Sequence, residues 1–230
     1  MHNLSKKIRY LAYYFTYRMT FQEAIRNFEG QPLTRQVLLD LLKEYKRPFD
    51  KITELVNQRV LIPVKRGIFI PGPALNIAQP EPFLLANHLV GPSYVSVETA
   101  LSHWRLIPEQ VYEISSMTIG RSKTYQTPVG RFSYMHLPLL YYSFGQQSVE
   151  LTKKQIALVG TPEKALCDKI VTTSGLLFRS TAQIQSWLLE DMRMDKEILR
   201  TLKTGNIRSW LNEAPKKESL QLLVKTLEKL

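Results

Sequence analysis

The chain has 230 residues, 44% of them hydrophobic, enough for one large domain or two ordinary ones with real cores. Its 31 Lys and Arg against 20 Asp and Glu leave a formal charge of +11, unevenly spread: 13 basic against 6 acidic residues in 1–72, 4 against 5 in 73–150, and 14 against 9 in 151–230. The basic N-terminal region points to a polyanionic partner, and the single cysteine, Cys167, excludes an internal disulfide and a thiolate zinc cluster.

No apolar run approaches the length of a membrane span. The opening MHNLSKKIRYLAYYF is basic and then aromatic, without the apolar segment and cleavage site of a signal peptide. The expected setting is a reducing cytoplasm, with no membrane partner.

In chain order, residues 3–18 read as a helix with Leu4, Ile8, Leu11 and Phe15 on one side. Residues 20–28 read as a second, short helix, with Phe21, Ala24, Ile25 and Phe28 apolar. These helices either complete a domain core or form a dimer contact, and the sequence leaves both open. From Leu33 the apolar residues Leu33, Val37, Leu38, Leu41, Leu42 and Tyr45 share one helical face. Lys46-Arg47-Pro48 breaks that helix, and Pro48 suits the first turn of the next. The next helix is expected to bury Phe49, Ile52, Leu55 and Val56. Val60–Val64 and Ile68–Ile70 then read as strands around Lys65-Arg66-Gly67, with Gly67 supplying the positive φ of a tight turn. Helix, break, helix and basic hairpin suggest a winged helix-turn-helix, whose hairpin tip meets DNA phosphates.

Pro71, Pro73, Pro80 and Pro82 mark a semi-rigid linker over 73–81. Beyond it, Pro82–Val90 reads as a helix and Tyr94–Ser96 as a strand. Val97–Trp104 reads as a helix with Ser96 as its N-cap. Val111–Ile119 reads as a strand, and Ser122–Thr127 with Gly130–His136 as a hairpin. Leu139–Phe144 and Gln155–Val159 are further strand candidates. Thr161 caps a helix through Val171, with Pro162 and Glu163 in its first turn and Cys167 buried on it. Ala182–Leu230 is mostly helical and ends in an amphipathic stripe of Leu220, Leu223, Val224, Leu227 and Leu230, docked on its own domain. The expected class is therefore α+β: an N-terminal winged helix-turn-helix with extra helices over 1–72, the linker, and a mixed α/β domain with a helical tail over 82–230.

The segment YVSVETALSHWRLIPEQVYEISSMTIGRSKTYQTPVGRFSYMHLP, followed by IALVGTPEKALCDKI, resembles the C-terminal domain of AbiEi-family antitoxins. The shared features are the YVS…ALS start, the K-T-Y-x-T-P-x-G-x-F-x-Y-x-H hairpin and the T-P-E-K-A-L-x-D helix start. The wing KRGIFIP also resembles the family's wing. Together these cover roughly residues 33–171. The resemblance implies a DNA-binding repressor that is also the antitoxin of a type IV toxin–antitoxin (abortive infection, phage defence) system. Such a protein binds inverted repeats in its own promoter. It counteracts a nucleotidyltransferase-like toxin without a stable complex between the two.

For DNA, helical phasing exposes Lys51, Asn57 and Gln58 as the residues nearest the bases. Arg35, Lys43, Lys46, Arg47, Lys65 and Arg66 are the phosphate contacts. Asp50 and Glu54 on the same exposed face are awkward for DNA and favour an alternative, a winged helix used for protein contacts beside a nucleotide- or protein-binding α/β domain. A second candidate surface is Arg121, Lys123, Tyr125 and Arg131, where bases and aromatics interleave; a hairpin with one packed and one solvated face accounts for the same pattern better. His2, His88, His103 and His136 show no metal-ligand spacing, and no phosphate-loop, nucleophile-elbow or dinucleotide motif is present. Neither catalysis nor a metal or cofactor is expected.

Overall fold

Thr20 opens the described chain, residues 20–230 of a computed structural model, as a helix cap. Its side chain accepts from the Glu23 amide at 3.3 Å, and the Glu23 carboxylate accepts from the Thr20 amide at 2.7 Å, a reciprocal box at the start of α1 (Phe21–Arg26). The helix predicted over 3–18 lies outside the described residues.

The next element departs from the expected long helix. Leu33–Thr34 is a short strand, β1, because Leu33 pairs with Phe69 and Thr34 with Ile68 far along the chain. Thr34 then caps α2 (Arg35–Leu41), accepting from the Val37 amide at 3.3 Å. Leu38 and Leu42 are fully buried, whereas Tyr45, predicted on the same apolar face, lies past the helix end and is exposed. α3 (Pro48–Asn57) begins on Pro48 as expected and buries Ile52 and Leu55. Phe49, predicted to share that stripe, is 58% exposed. Strands β2 (Leu61–Lys65) and β3 (Ile68–Pro71) form the predicted hairpin, with Gly67 at φ +83° in the turn. The sheet order is β1-β3-β2, all antiparallel.

The proline-marked stretch after β3 is not a free linker. Leu75 is buried in the same core as Ile25, Leu38 and Leu55. The Ala78 carbonyl accepts from the Gly30 amide at 3.0 Å, and the Ala78 amide donates to Glu29. The chain divides after Pro80 into two compact units.

The second unit is built on a six-stranded mixed sheet of order β6-β7-β5-β4-β9-β8. Its strands are β4 (Ser93–Val95), β5 (Ile114–Thr118), β6 (Lys123–Thr127), β7 (Gly130–His136), β8 (Gln146–Thr152) and β9 (Gln155–Gly160). The β4–β9 and β5–β7 pairs are parallel and the others antiparallel. α4 (Pro82–Leu89) packs on β4 and β9. Its Asn87 carboxamide accepts from the Leu158 amide at 2.7 Å and donates to the Leu158 carbonyl at 3.3 Å, standing in for a strand partner. α5 (Val97–His103) and α7 (Pro162–Thr172) pack against each other and on β9. The hairpin β6–β7 and the Thr161 cap of α7 fall where the sequence puts them.

Two segments differ from expectation. Leu139–Tyr142 is a helical turn, α6, not a strand; Pro138 starts it and Tyr141 and Tyr142 turn inward. β8 had no counterpart in the sequence reading. Its alternating residues cover only one face of an edge strand, which leaves a weak apolar signal. After α7 come α8 (Thr181–Ser186), a π-turn (Trp187–Asp191), α9 (Lys196–Arg200), α10 (Thr204–Trp210) and α11 (Lys217–Leu227). α11 buries Leu220, Leu223, Val224 and Leu227, and α10 and α11 dock on α7. The described residues form a mixed α and β structure. Among the described residues no helix is long and apolar enough to cross a membrane.

Candidate nucleic-acid interface

In the first unit, one backbone contact organises the basic residues. The Arg35 amide donates to the Gly67 carbonyl at 2.8 Å, so the start of α2 and the hairpin tip are neighbours. Arg35 and Arg66 are both exposed there. Lys43 and Lys46 are exposed in the connection between α2 and α3. Among the described residues, no carboxylate pairs with Arg35, Lys43, Lys46 or Arg66. Lys65, at the end of β2, is only partly exposed.

The charged groups on α3 are arranged differently. Arg47, at the N-cap, pairs with Asp50 at 2.7 Å. Lys51 pairs with Glu54 at 2.7 Å and lies 5.6 Å from the centre of the Tyr45 ring. Gln58 also donates to Glu54, at 3.0 Å. The hydrogen bond from Lys51 is the largest influence that lowers the Glu54 pKa below the usual carboxylate value. Of the three residues predicted to lie nearest the bases, Lys51 and Gln58 are therefore engaged by Glu54. Asn57 is exposed at the C-terminal end of the helix. The residue that sequence reasoning missed is Phe49. Its spacing from Ile52 and Val56 fits the buried stripe, yet its side chain stands exposed beside a groove that Pro63 and Phe69 also line.

The second predicted surface is split by the strand period. Thr124 pairs with Ser133 and Tyr125 with Phe132, so Lys123 and Tyr125 share the face of Phe132 and Tyr134. The Tyr125 and Tyr134 rings meet edge-on at 6.0 Å. Arg131 points to the opposite face and pairs with Glu113 at 3.1 Å. Arg121 lies in the turn before β6. These four residues do not form one surface. On the Arg131 face an open groove of about 900 Å³ runs beside β5 and β7, where Ser115 and Ser133 hydroxyls lie 3.0 Å apart.

The TPEKALCD segment is built into the core. Lys164 and Asp168 are both fully buried, 3.0 Å apart. Asp168 accepts from the Tyr94 hydroxyl at 2.8 Å and from the Ser96 hydroxyl at 2.7 Å. Ser96 thus gives its side chain to Asp168 and makes no cap bond to α5. Lys164 donates to the Tyr141 carbonyl at 2.9 Å and sits over the Tyr141 ring. Glu163 accepts from the Lys203 amide at 2.8 Å. Burial pushes the Lys164 pKa down, against the upward pull of Asp168. Burial also holds the Cys167 thiol well above its ordinary pKa, so it is not poised as a nucleophile. This segment ties β4, α6 and the α9–α10 connection to α7 and carries no exposed chemistry. Among the described residues no group of three or more His, Cys, Asp or Glu is placed to hold a metal ion.

No protein-family model matches this chain, and no curated protein matches it.

Proposed function

We propose that the first unit is a winged helix-turn-helix that binds double-stranded DNA, and that the protein is a transcriptional repressor acting as a cytoplasmic type IV antitoxin. The observation that carries the DNA reading is the set of exposed cations Arg35, Lys43, Lys46 and Arg66, which pair with no carboxylate among the described residues. The order helix, strand, helix, helix, strand, turn, strand supports the winged-helix reading. The antitoxin role rests on the AbiEi resemblance of the second unit, and with it the inverted-repeat operator and the nucleotidyltransferase-like toxin opposed without a stable complex.

The test is binding of the full chain to the DNA upstream of its own coding sequence, against unrelated duplex of equal length. Preferential binding to the upstream DNA is the expected result. Equal binding to both at every salt concentration contradicts the repressor reading.

One observation favours a second reading. Arg47–Asp50 and Lys51–Glu54 leave α3 with little free positive charge, which suits a winged helix that contacts protein. No binding to any duplex at low salt selects that reading.

A further inference from the structure

The side chains that α3 presents to solvent are unusual for a helix that reads bases by hydrogen bonds. Arg47, Lys51 and Gln58 are engaged by Asp50 and Glu54 on the same helix. The Thr53 hydroxyl turns back to donate to the Phe49 carbonyl at 3.1 Å, so this exposed residue's one side-chain donor is engaged within the helix. Phe49, the second residue of α3, is a large apolar side chain left 58% exposed. Beside it an open groove of about 360 Å³ lies between α3 and the β2–β3 hairpin, lined by Phe49, Thr53, Val56, Pro63, Phe69 and Arg35. The first turn of α3 therefore offers Phe49 as an exposed apolar group beside the Arg47–Asp50 ion pair. Arg35 lines the same groove, its amide meets the hairpin tip that carries Arg66, and Lys46 lies just before α3; none of the three pairs with a carboxylate among the described residues.

That pairing of an apolar centre with a cationic rim matches one feature of duplex DNA. The major groove carries a single apolar group, the C5-methyl of thymine, between two rows of phosphates. In helix-turn-helix docking the N-terminal residues of the recognition helix contact the base edges. We propose that Phe49 reads thymine methyl groups in the major groove, while Arg35, Lys46 and Arg66 hold the flanking phosphates. Sequence preference then comes from methyl burial and not from donor–acceptor matching by Lys51, Asn57 and Gln58. The proposal rests on the DNA-binding reading above.

The experiment uses the full chain and a duplex enriched by it from a random pool. The enriched duplex is then prepared with uracil in place of thymine, which removes only the methyls. Burial of each methyl is worth roughly a fourfold change in affinity, so the uracil duplex is expected to bind several-fold more weakly. The slope of affinity against salt is expected to stay the same, because the phosphate contacts are unchanged. Phe49→Ala is expected to lose most of the difference between the two duplexes, and a variant that keeps the full difference overturns the assignment to Phe49. Phe49 is exposed, and a thermal melt of the variant checks that the fold is intact. Equal affinity of the unaltered protein for both duplexes overturns methyl reading while leaving DNA binding in place. Failure of any duplex to bind at low salt overturns the DNA reading, and this inference falls with it.

Discussion

Lys164 Nζ lies 3.0 Å from Asp168 Oδ1, one helical turn apart on α7, and neither side chain reaches solvent. An i,i+4 Lys/Asp pair on a helix surface is worth a few tenths of a kcal/mol. In the core the same pair is a commitment. The contact is ionic and not well directed, since Asp168 Oδ1 has no partner of good hydrogen-bond geometry. Its other oxygen is held by Tyr94 and Ser96. Asp168→Asn is therefore expected to strand the Lys164 charge and cost about 3 kcal/mol or more of stability. Lys164→Met with Asp168→Asn is expected to cost less than the sum of the single changes. Urea denaturation of the four proteins measures the coupling, and strict additivity contradicts a coupled pair.

Alkaline pH is expected to destabilise the second unit. Burial raises the Tyr94, Tyr134 and Tyr141 phenols above their ordinary pKa and pushes Tyr142 up to about 12. In the unfolded chain these phenols lose their protons near pH 10. Above that pH the unfolded state binds fewer protons than the folded one, so stability falls as pH rises. For Tyr142 the fall begins near pH 10 and levels off above about 12. Lys164 and Lys216 work the other way, because their lowered pKa values add stability as pH rises toward the ordinary lysine value, but they are two groups against the four phenols and the raised Cys167 thiol. Thermal melts from pH 8 to 11 should show a falling Tm at the upper end, and Tyr142→Phe should make the fall shallower. A flat profile contradicts the burial of these phenols.

Three arginines hold left-handed backbone where a helical segment ends, Arg193 after the π-turn and two after α-helices. Arg59 follows α3 with φ 56°, and Arg105 follows α5 with φ 60°. In each case the next amide closes a wide turn, Val60 onto Leu55 and Leu106 onto Leu101. Glycine adopts this conformation without the strain of a Cβ. Arg105→Gly is expected to stabilise the protein by about 0.5–1 kcal/mol, read as a rise of a few degrees in Tm. A lower Tm would mean that the Arg105 side chain contributes more than the turn costs.

Gly72 is fixed by the reverse argument. A Cβ there would stand 1.9 Å from the Arg59 carbonyl oxygen, and the Gly72 amide donates to the Val60 carbonyl at 2.7 Å. The obstructing atoms are backbone, so they cannot turn aside. Gly72→Ala is expected to destabilise the first unit by about 2 kcal/mol or more. Urea denaturation followed by a probe in that unit measures it, and an unchanged midpoint contradicts the close packing.

Local signals carried most of the elements. Pro48 and Pro162 mark helix starts, Thr161 caps α7, and Lys65-Arg66-Gly67 and Pro128-Val129-Gly130 mark turns whose strands pair as expected. Two departures from the expected elements in the first unit share a cause, which is contact over long separations. Leu33 is a strand because Phe69 lies beside it. Residues 73–80 pack because Leu75 finds the first unit's core and Ala78 finds Gly30. The exposure of Phe49 and the burial of Lys164 and Asp168 invert what their residue types imply, and no local pattern encodes either. Among the candidate site residues, the cations were legible from charge alone. Their ion pairs were not, because Asp50 and Glu54 disclose their partners only once α3 is a helix with defined side-chain directions.

The most direct test of DNA binding through the cationic rim compares the full chain with the Arg35→Ala, Arg66→Ala double variant on one duplex across a salt series. Each phosphate contact contributes about −0.9 to the slope of log affinity against log salt. If both arginines meet phosphates, the variant should bind more weakly and its slope should be shallower by about 1.8. Tight binding by the variant with an unchanged slope would contradict the account and remove the hairpin tip and the start of α2 from the interface.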